Sequence, residues 1–272
     1  MWSSKDVYYI SDSTGILATN LGQALICQFP EVHFNEEKFP FIRTIAEARK
    51  TMDYILKRSG GRRPIIFSTI LDPNIRAVID SPEVEYFEAY GLFLERLETC
   101  LETKAVRETG FSRHPSDMAM NKRAEAIDYC LAHDDGTKVG EYNEADVILV
   151  GVSRAGKTPV SVFLATQMGL KPANFPLTSE QLNSYKLPVL IRQNLSRVIA
   201  LTTTPEYLHS AREKRYAGSK YARLSTCNDE LKQAEQIYMK SHIPIISTAG
   251  KSIEEIATQV MQELGISKKY IL

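Results

Sequence analysis

The sequence predicts an α/β fold in two parts: an N-terminal α/β domain, then a C-terminal α/β domain with a mostly parallel sheet built around a phosphate loop (P-loop). Three observations predict it. Short apolar runs alternate with helix-patterned segments along almost the whole chain, the rhythm of a sheet with helices on its faces. One such run, Ala145 to Val150, feeds the glycine-bounded loop GVSRAGKT at 151–158 and then a helical pattern. The chain's 272 residues are enough for two modest cores.

In chain order, Val7 to Ile10 reads as a short buried strand. SDSTG then turns the chain into a helix with Ile16, Leu17, Leu21, Leu25 and Ile26 on one side. Within that turn Asp12, flanked by Ser11 and Ser13, has the form of a helix cap. Phe39 to Ile42 reads as a second short strand, Ile45 to Leu56 as a helix closed by Gly60 and Gly61, and Pro64 to Leu71 as a strong strand. Glu83 to Thr103 predicts one long helix, because Phe87, Leu94, Leu97 and Leu101 recur at helical spacing. Residues 104–117, KAVRETGFSRHPSD, have Gly, Pro, mixed charge and no periodicity, as a connector would. The domains are thereby expected at 1–103 and 118–272.

Met118 to Ala132 is helical in pattern and ends in the polar turn HDDG. After the loop, Val160, Phe163, Leu164 and Met168 mark an amphipathic helix. The rhythm then continues with a strand at Arg197–Thr203, helices at Pro205–Tyr216 and Asn228–Lys240, a strand at Ile243–Ser247, and a last helix from Ser252 to Leu264 stopped by Gly265.

Composition excludes several classes. Lys plus Arg and Asp plus Glu each total 33, so no global field favours nucleic acid or an anionic membrane. Cys27, Cys100, Cys130 and Cys227 form no CxxC pair and have no histidine pattern nearby; they read as four buried thiols, not as a zinc site or disulfide framework. The N-terminus lacks the pattern of a secretory signal, and no apolar run approaches the ~18 residues of a membrane span. A reducing cytoplasm is the expected location.

The loop carries the chemistry. Gly151, Val152, Ser153, Arg154, Ala155, Gly156, Lys157 and Thr158 satisfy the phosphate-loop spacing of two glycines followed by Lys and Ser/Thr. Glycine at the bends lets backbone N–H groups converge on phosphate oxygens, and the following helix adds its positive end. Lys157 would neutralise the outer phosphates, and the Thr158 hydroxyl would be a ligand of Mg²⁺. Pro159 fits a helix's first turn, where its missing N–H has no partner in any case. The bare pattern arises by chance in roughly one chain of this length in a hundred, so the strand before it and the helix after it give it weight.

Two further groups are candidates. Between Arg192 and Arg223 basic residues outnumber acidic ones, and Arg212 and Arg215 share a predicted helix face with His209, as a phosphate clamp would require. His133, Asp134 and Asp135 occupy the turn that leads to the loop strand, where a carboxylate could hold Mg²⁺ or accept a proton. The strands VIALTTT and IPIIST end in Thr or Ser, not in the carboxylate that usually holds Mg²⁺ in such enzymes. Asp134, Asp135, Asp12 and Asp72 all remain candidates, as does a metal held mainly by nucleotide and Thr158.

GVSRAGKTP, taken with AIDYCLAHDDG, IPIISTAGKSIEEIATQVM, YISDSTG, CQFP and REKRYAGSKYA, closely resembles the phosphoenolpyruvate synthase regulatory proteins. These are bifunctional kinase/pyrophosphorylases related to the regulators of pyruvate, phosphate dikinase, and the likeness runs over nearly the whole chain. Gly156 matches the synthase branch, whereas many dikinase regulators have Ser there. The resemblance implies an enzyme that uses ADP to phosphorylate and inactivate a threonine of phosphoenolpyruvate synthase. It also implies that inorganic phosphate removes the group as pyrophosphate, that residues 151–158 bind the nucleotide, and that the enzyme is a homodimer. Lys157, Thr158, Asp135, Arg212 and Arg215 are the catalytic candidates, with Asp135 as proton acceptor. The alternatives are the same activities acting on pyruvate, phosphate dikinase, an ATP-dependent small-molecule kinase, and a nucleotide sensor without chemistry.

Overall fold

The computed structural model describes residues 4–108 and 117–266, and the chain divides into two compact units, 1–114 and 115–272. Most of the expected connector, including Arg113 and His114, lies outside the described residues.

In the first unit, β1 (Ser4–Ile10), β2 (His33–Phe39), β3 (Ile65–Ser68) and β4 (Glu85–Glu88) form a parallel sheet in the order β2-β1-β3-β4. Val7 to Ile10 are buried on both faces, which is why β1 reads as an unbroken apolar run. Tyr8, Ile10 and Ile66 pack under α2 (Ile45–Ser59) and α3 (Pro73–Ile79), while Val7, Tyr9 and Phe67 pack under α1 (Ile16–Ile26). The α2 start is a capping box between Thr44 and Glu47, and Gly60 ends the helix in the left-handed conformation.

α1 occupies its predicted place but buries a different face. Ile16, Leu17 and Leu25 are exposed, and the helix meets the sheet through Ala18, Thr19, Gly22 and Ile26. Small residues let the helix axis lie close to the two aromatic rings beneath it. A Cβ at Gly22 would overlap the Tyr9 ring and stand 2.7 Å from the Phe67 ring. Both rings are buried and cannot swing away, so Gly22→Ala should destabilise the protein by about 1–3 kcal/mol, read as a lower urea midpoint with unchanged slope.

Two expectations fail in this unit for identifiable reasons. The strand expected at Phe39–Ile42 comes earlier, as β2, whose sequence HFNEEKF is charged because it is a sheet edge. The long helix expected over Glu83–Thr103 is two elements, β4 and then α4 (Gly91–Leu101). Phe87 belongs to the strand and stacks on Phe67 with centroids 5.2 Å apart, so its helical spacing from Leu94 is coincidental.

In the second unit, β5 (Val147–Val152), β6 (Pro172–Leu177), β7 (Val198–Thr202) and β8 (Ile245–Ser247) form a parallel sheet in the order β6-β5-β7-β8. Val147, Leu149, Ile199 and Leu201 face α6 (Lys157–Met168) and α11 (Ile253–Glu263). Ile148, Val150, Val198 and Ala200 face the layer containing α7 (Ser179–Ser184), α8 (Val189–Arg192), α9 (Pro205–Glu213) and α10 (Leu224–Ser241). α5 (Asp117–Ala132) packs on α6 through Ala126 and Cys130. β6 is absent from the sequence expectation because Pro172 and Pro176 interrupt its strand pattern; at the edge of a sheet they are tolerated.

Each sheet has the same strand order, with its first strand flanked on one side by the second and on the other by the third. The crevice beyond the carboxyl ends of those central strands is where open parallel sheets take ligands. Of the four cysteines expected to be buried, Cys130 and Cys227 are, but Cys27 and Cys100 are exposed. Among the described residues no helix is long and apolar enough to cross a membrane.

Candidate active site

β5 delivers the chain into the loop at 151–158, and the two glycines there do different work. A Cβ at Gly151 would stand 2.7 Å from the Leu201 carbonyl oxygen of the adjacent strand, so only glycine permits that approach. Gly156, at φ 92°, turns the chain into α6 through a conformation that side chains disfavour. α6 has no side-chain cap, which leaves its first N–H groups available to an anion. Pro159 stands third in this helix, within the turn expected for it.

The loop borders a cavity of about 970 Å³. Ser153, Arg154, Gly156, Lys157 and Thr158 line it from the loop, Asp134 and Asp135 from the turn before β5, and Tyr207, Arg215, Tyr216 and Tyr221 from the segment after β7. The structure thus brings together all the expected catalytic candidates except Arg212.

Lys157 is 5% exposed and donates from Nζ to the Val152 carbonyl at 3.0 Å. Burial pushes its pKa down to about 8, opposed by the Asp135 and then the Asp134 carboxylates. Because the unfolded chain keeps the ordinary value of 10.5, it binds more protons than the folded chain between those two values. This group's contribution to stability therefore rises with pH across that window. Ligand binding would have the opposite sense: a phosphate group held beside this amine would favour its charged form, so the affinity for any pyrophosphate bound there, offered as a probe, should fall by up to about tenfold per pH unit above 8. Calorimetry in buffers of different ionisation enthalpy would record the accompanying proton uptake.

Thr158 donates from Oγ1 to the Asp134 carboxylate at 3.0 Å. Asn174, on β6, donates through Nδ2 to that carboxylate and to Thr158 Oγ1, the latter at 2.9 Å. The Asn174 Oδ1 atom is buried and has no hydrogen-bond partner among the described residues. The turn bearing Asp134 is pinned to β6, since Gly136 N donates to Asn174 O at 2.8 Å and Asn174 N to His133 O at 2.9 Å. His133 serves this turn and not the chemistry: its ring stacks on Tyr129 at 3.7 Å, and Nδ1 donates to the Tyr129 carbonyl at 2.8 Å. Asp135 is exposed at the cavity, with backbone in the left-handed region at φ 50°.

The two arginines do not share a face, because α9 ends at Glu213 and Arg215 falls beyond it. Arg215 lines the cavity. Arg212 is fully buried beneath the loop, donating from Nη2 to Glu230 at 2.6 Å and to the Ser153 carbonyl at 3.2 Å. Its Nη1 donates to the Tyr221 carbonyl at 3.0 Å, and its guanidinium carbon lies 4.0 Å from the centre of the Tyr221 ring. With these partners it is a strut under the loop, not a group presented to phosphate. His209 bonds the Ala222 carbonyl through Nδ1 at 2.6 Å. Of the other carboxylate candidates, Asp72 caps α3 and Asp12 accepts from Leu71 N, both in the first unit.

Asn174, Glu230 and the three tyrosines were not legible as site residues. Asn174 sits on the unpredicted β6, and Glu230 matters only through its contact with Arg212 across 18 residues. The tyrosines gave a weak signal, in that Tyr216 and Tyr221 fall within the basic stretch REKRYAGSKYA.

The family model described as kinase/pyrophosphorylase matches residues 7–261. A protein of Desulfotalea psychrophila (strain LSv54 / DSM 12343) is 47% identical over 265 residues, 97% of each chain. Proteins of Hahella chejuensis (strain KCTC 2396) and Laribacter hongkongensis (strain HLHK9) are each 40% identical. The first covers 97% of this chain and 98% of its own length, the second 98% of both. All three are named, provisionally, phosphoenolpyruvate synthase regulatory proteins.

Proposed function

The chain belongs to the kinase/pyrophosphorylase family, and from that premise we propose that it switches a phosphoenolpyruvate synthase off and on by phosphorylating and dephosphorylating one of its threonines. In one direction the threonine oxygen attacks the β-phosphorus of ADP, the bond from that phosphorus to the bridging oxygen breaks, and AMP leaves. The hydroxyl proton passes to Asp135, which is exposed at the cavity. In the other direction an oxygen of inorganic phosphate attacks the phosphothreonine, the P–O bond breaks, the threonine oxygen regains a proton, and pyrophosphate leaves.

The observation that carries this reading is the convergence of Lys157, the uncapped α6 N-terminus, Asp135 and Arg215 on one cavity roomy enough for a nucleotide and an acceptor side chain. One grip on the transferring group serves both directions if phosphate occupies the place of the AMP phosphate. Positioning and charge neutralisation then supply most of the rate. The residues fit Mg²⁺: Thr158 Oγ1 and the Asp134 carboxylate are hard oxygen donors that line the cavity side by side, and a site with one carboxylate leaves the remaining positions to water and phosphate. Bound there, Mg²⁺ would neutralise charge on the phosphate oxygens.

The test is incubation of the pure protein with ADP labelled at the β-phosphate and phosphoenolpyruvate synthase. Label on a synthase threonine, released as pyrophosphate when phosphate is added, is the expected result. Label transferred only from the γ-phosphate of ATP, or binding without transfer, overturns the proposal.

A further inference from the structure

β6 carries a single polar side chain in an otherwise apolar run. Its sequence is PANFPL, and Asn174 is 1% exposed within it, paired in register with Leu149 of β5. Burying an amide costs free energy unless its atoms find partners, so an asparagine here needs a reason. The main chain does not supply one, because almost any residue would make the backbone bonds to His133 and Gly136 equally well. The reason lies in what the amide touches.

Asn174 Nδ2 reaches two groups from other parts of the chain: the Asp134 carboxylate, in the turn before β5, and Thr158 Oγ1, on the second residue of α6 and 2.9 Å away. Charge settles which way the amide points, since Oδ1 in that place would face a carboxylate and donate nothing. Thr158 Oγ1 donates in turn to Asp134 at 3.0 Å, which closes a ring of three hydrogen bonds. A hydroxyl has one proton and two lone pairs. Asp134 takes the proton and Asn174 fills one lone pair, which leaves the other on a residue that lines the cavity. Without the amide the Thr158 hydroxyl is free to rotate and turn its proton toward the cavity, the wrong polarity for a cation. On its far side Asn174 Oδ1 is buried with no partner among the described residues. An apolar residue in the strand would avoid that cost, so packing alone does not account for an amide at this position.

We propose that Asn174 is a positioning residue for a divalent cation: its amide fixes the direction of the Thr158 hydroxyl and the place of the Asp134 carboxylate, so that both present oxygen lone pairs to the ion. The inference rests on the reading that the cavity takes Mg²⁺. It adds to that site a contributor from β6, the strand to which the turn bearing Asp134 is already pinned.

The test uses the full chain and Mn²⁺ alone, a paramagnetic probe that shares the oxygen preference of Mg²⁺, with binding read from loss of the free-ion resonance. Wild type should take up Mn²⁺ at up to millimolar concentration. Asn174→Val suits a strand but has no donor, and it should weaken binding by about 10–100-fold, the usual loss when a group that orients a metal ligand is removed. Asn174→Asp should bind at least as tightly as wild type, because a second carboxylate beside Asp134 adds attraction for the ion. A merely structural role would weaken both variants alike. If one variant fails to fold, the other decides. Affinity within roughly threefold of wild type in folded Asn174→Val, or weaker binding by Asn174→Asp, overturns this inference alone. A wild-type chain that takes up no Mn²⁺ overturns the metal reading and this inference with it.

Discussion

Lys157→Ala should reduce both proposed activities, phosphorylation from ADP and pyrophosphate release, by about 10²–10³-fold, the usual loss when one preorganised charge-stabilising group is removed from a transferring centre. The same amine would face the moving phosphoryl group in either direction, so the two activities should fall together. Stability should change little, since among the described residues the buried amine donates to one backbone carbonyl and its charge is disfavoured there. Measuring both rates and the melting temperature on one preparation separates these effects. Survival of either activity near the wild-type rate would mean that the loop does not grip the transferred group.

Arg212→Ala should have the largest effect on stability, about 3 kcal/mol, from the lower part of the range for breaking a buried ion pair. The lower value applies because Glu230 keeps about a quarter of its side chain exposed and can be partly hydrated once its partner is gone. The substitution also removes the donor to the Ser153 carbonyl, so the loop should lose its fixed shape and activity should fall even below the melting transition. Arg212→Lys should rescue little, because one ammonium cannot reach Glu230, Ser153 and Tyr221 in the planar arrangement the guanidinium provides. Urea unfolding of both variants checks this, and a loss under about 1 kcal/mol would show that the pair behaves as a surface bridge.

The contrast between these two residues shows what the sequence could reveal. Lys157 was legible because its neighbours in the chain are its neighbours in space: strand, glycines and helix follow one another within about twenty residues. Arg212 was legible as a cation near phosphate but not in its direction, because that depends on where α9 ends and on Glu230, a partner from another helix. Asp134 was one of four open carboxylates until the β6 contact fixed its turn beside Thr158. In the first unit the edge strands carry charged residues and gave no clear strand pattern, so β2 was misplaced and β4 was read as part of a helix, while the buried β1 and β3 were found. The face of α1 was misjudged because packing through glycine and alanine leaves the larger apolar side chains outside.

The peripheral strands of both sheets bear on solubility. A flat, apolar strand with unpaired amides recruits other chains into growing cross-strand assemblies. β6 lacks two donors at Pro172 and Pro176, β2 bears Glu36, Glu37 and Lys38 in succession, and β4 and β8 extend over only four and three residues. The molecule can therefore carry two open sheets in one chain while offering little template for fibre growth, and replacing Pro176 with valine would weaken that protection.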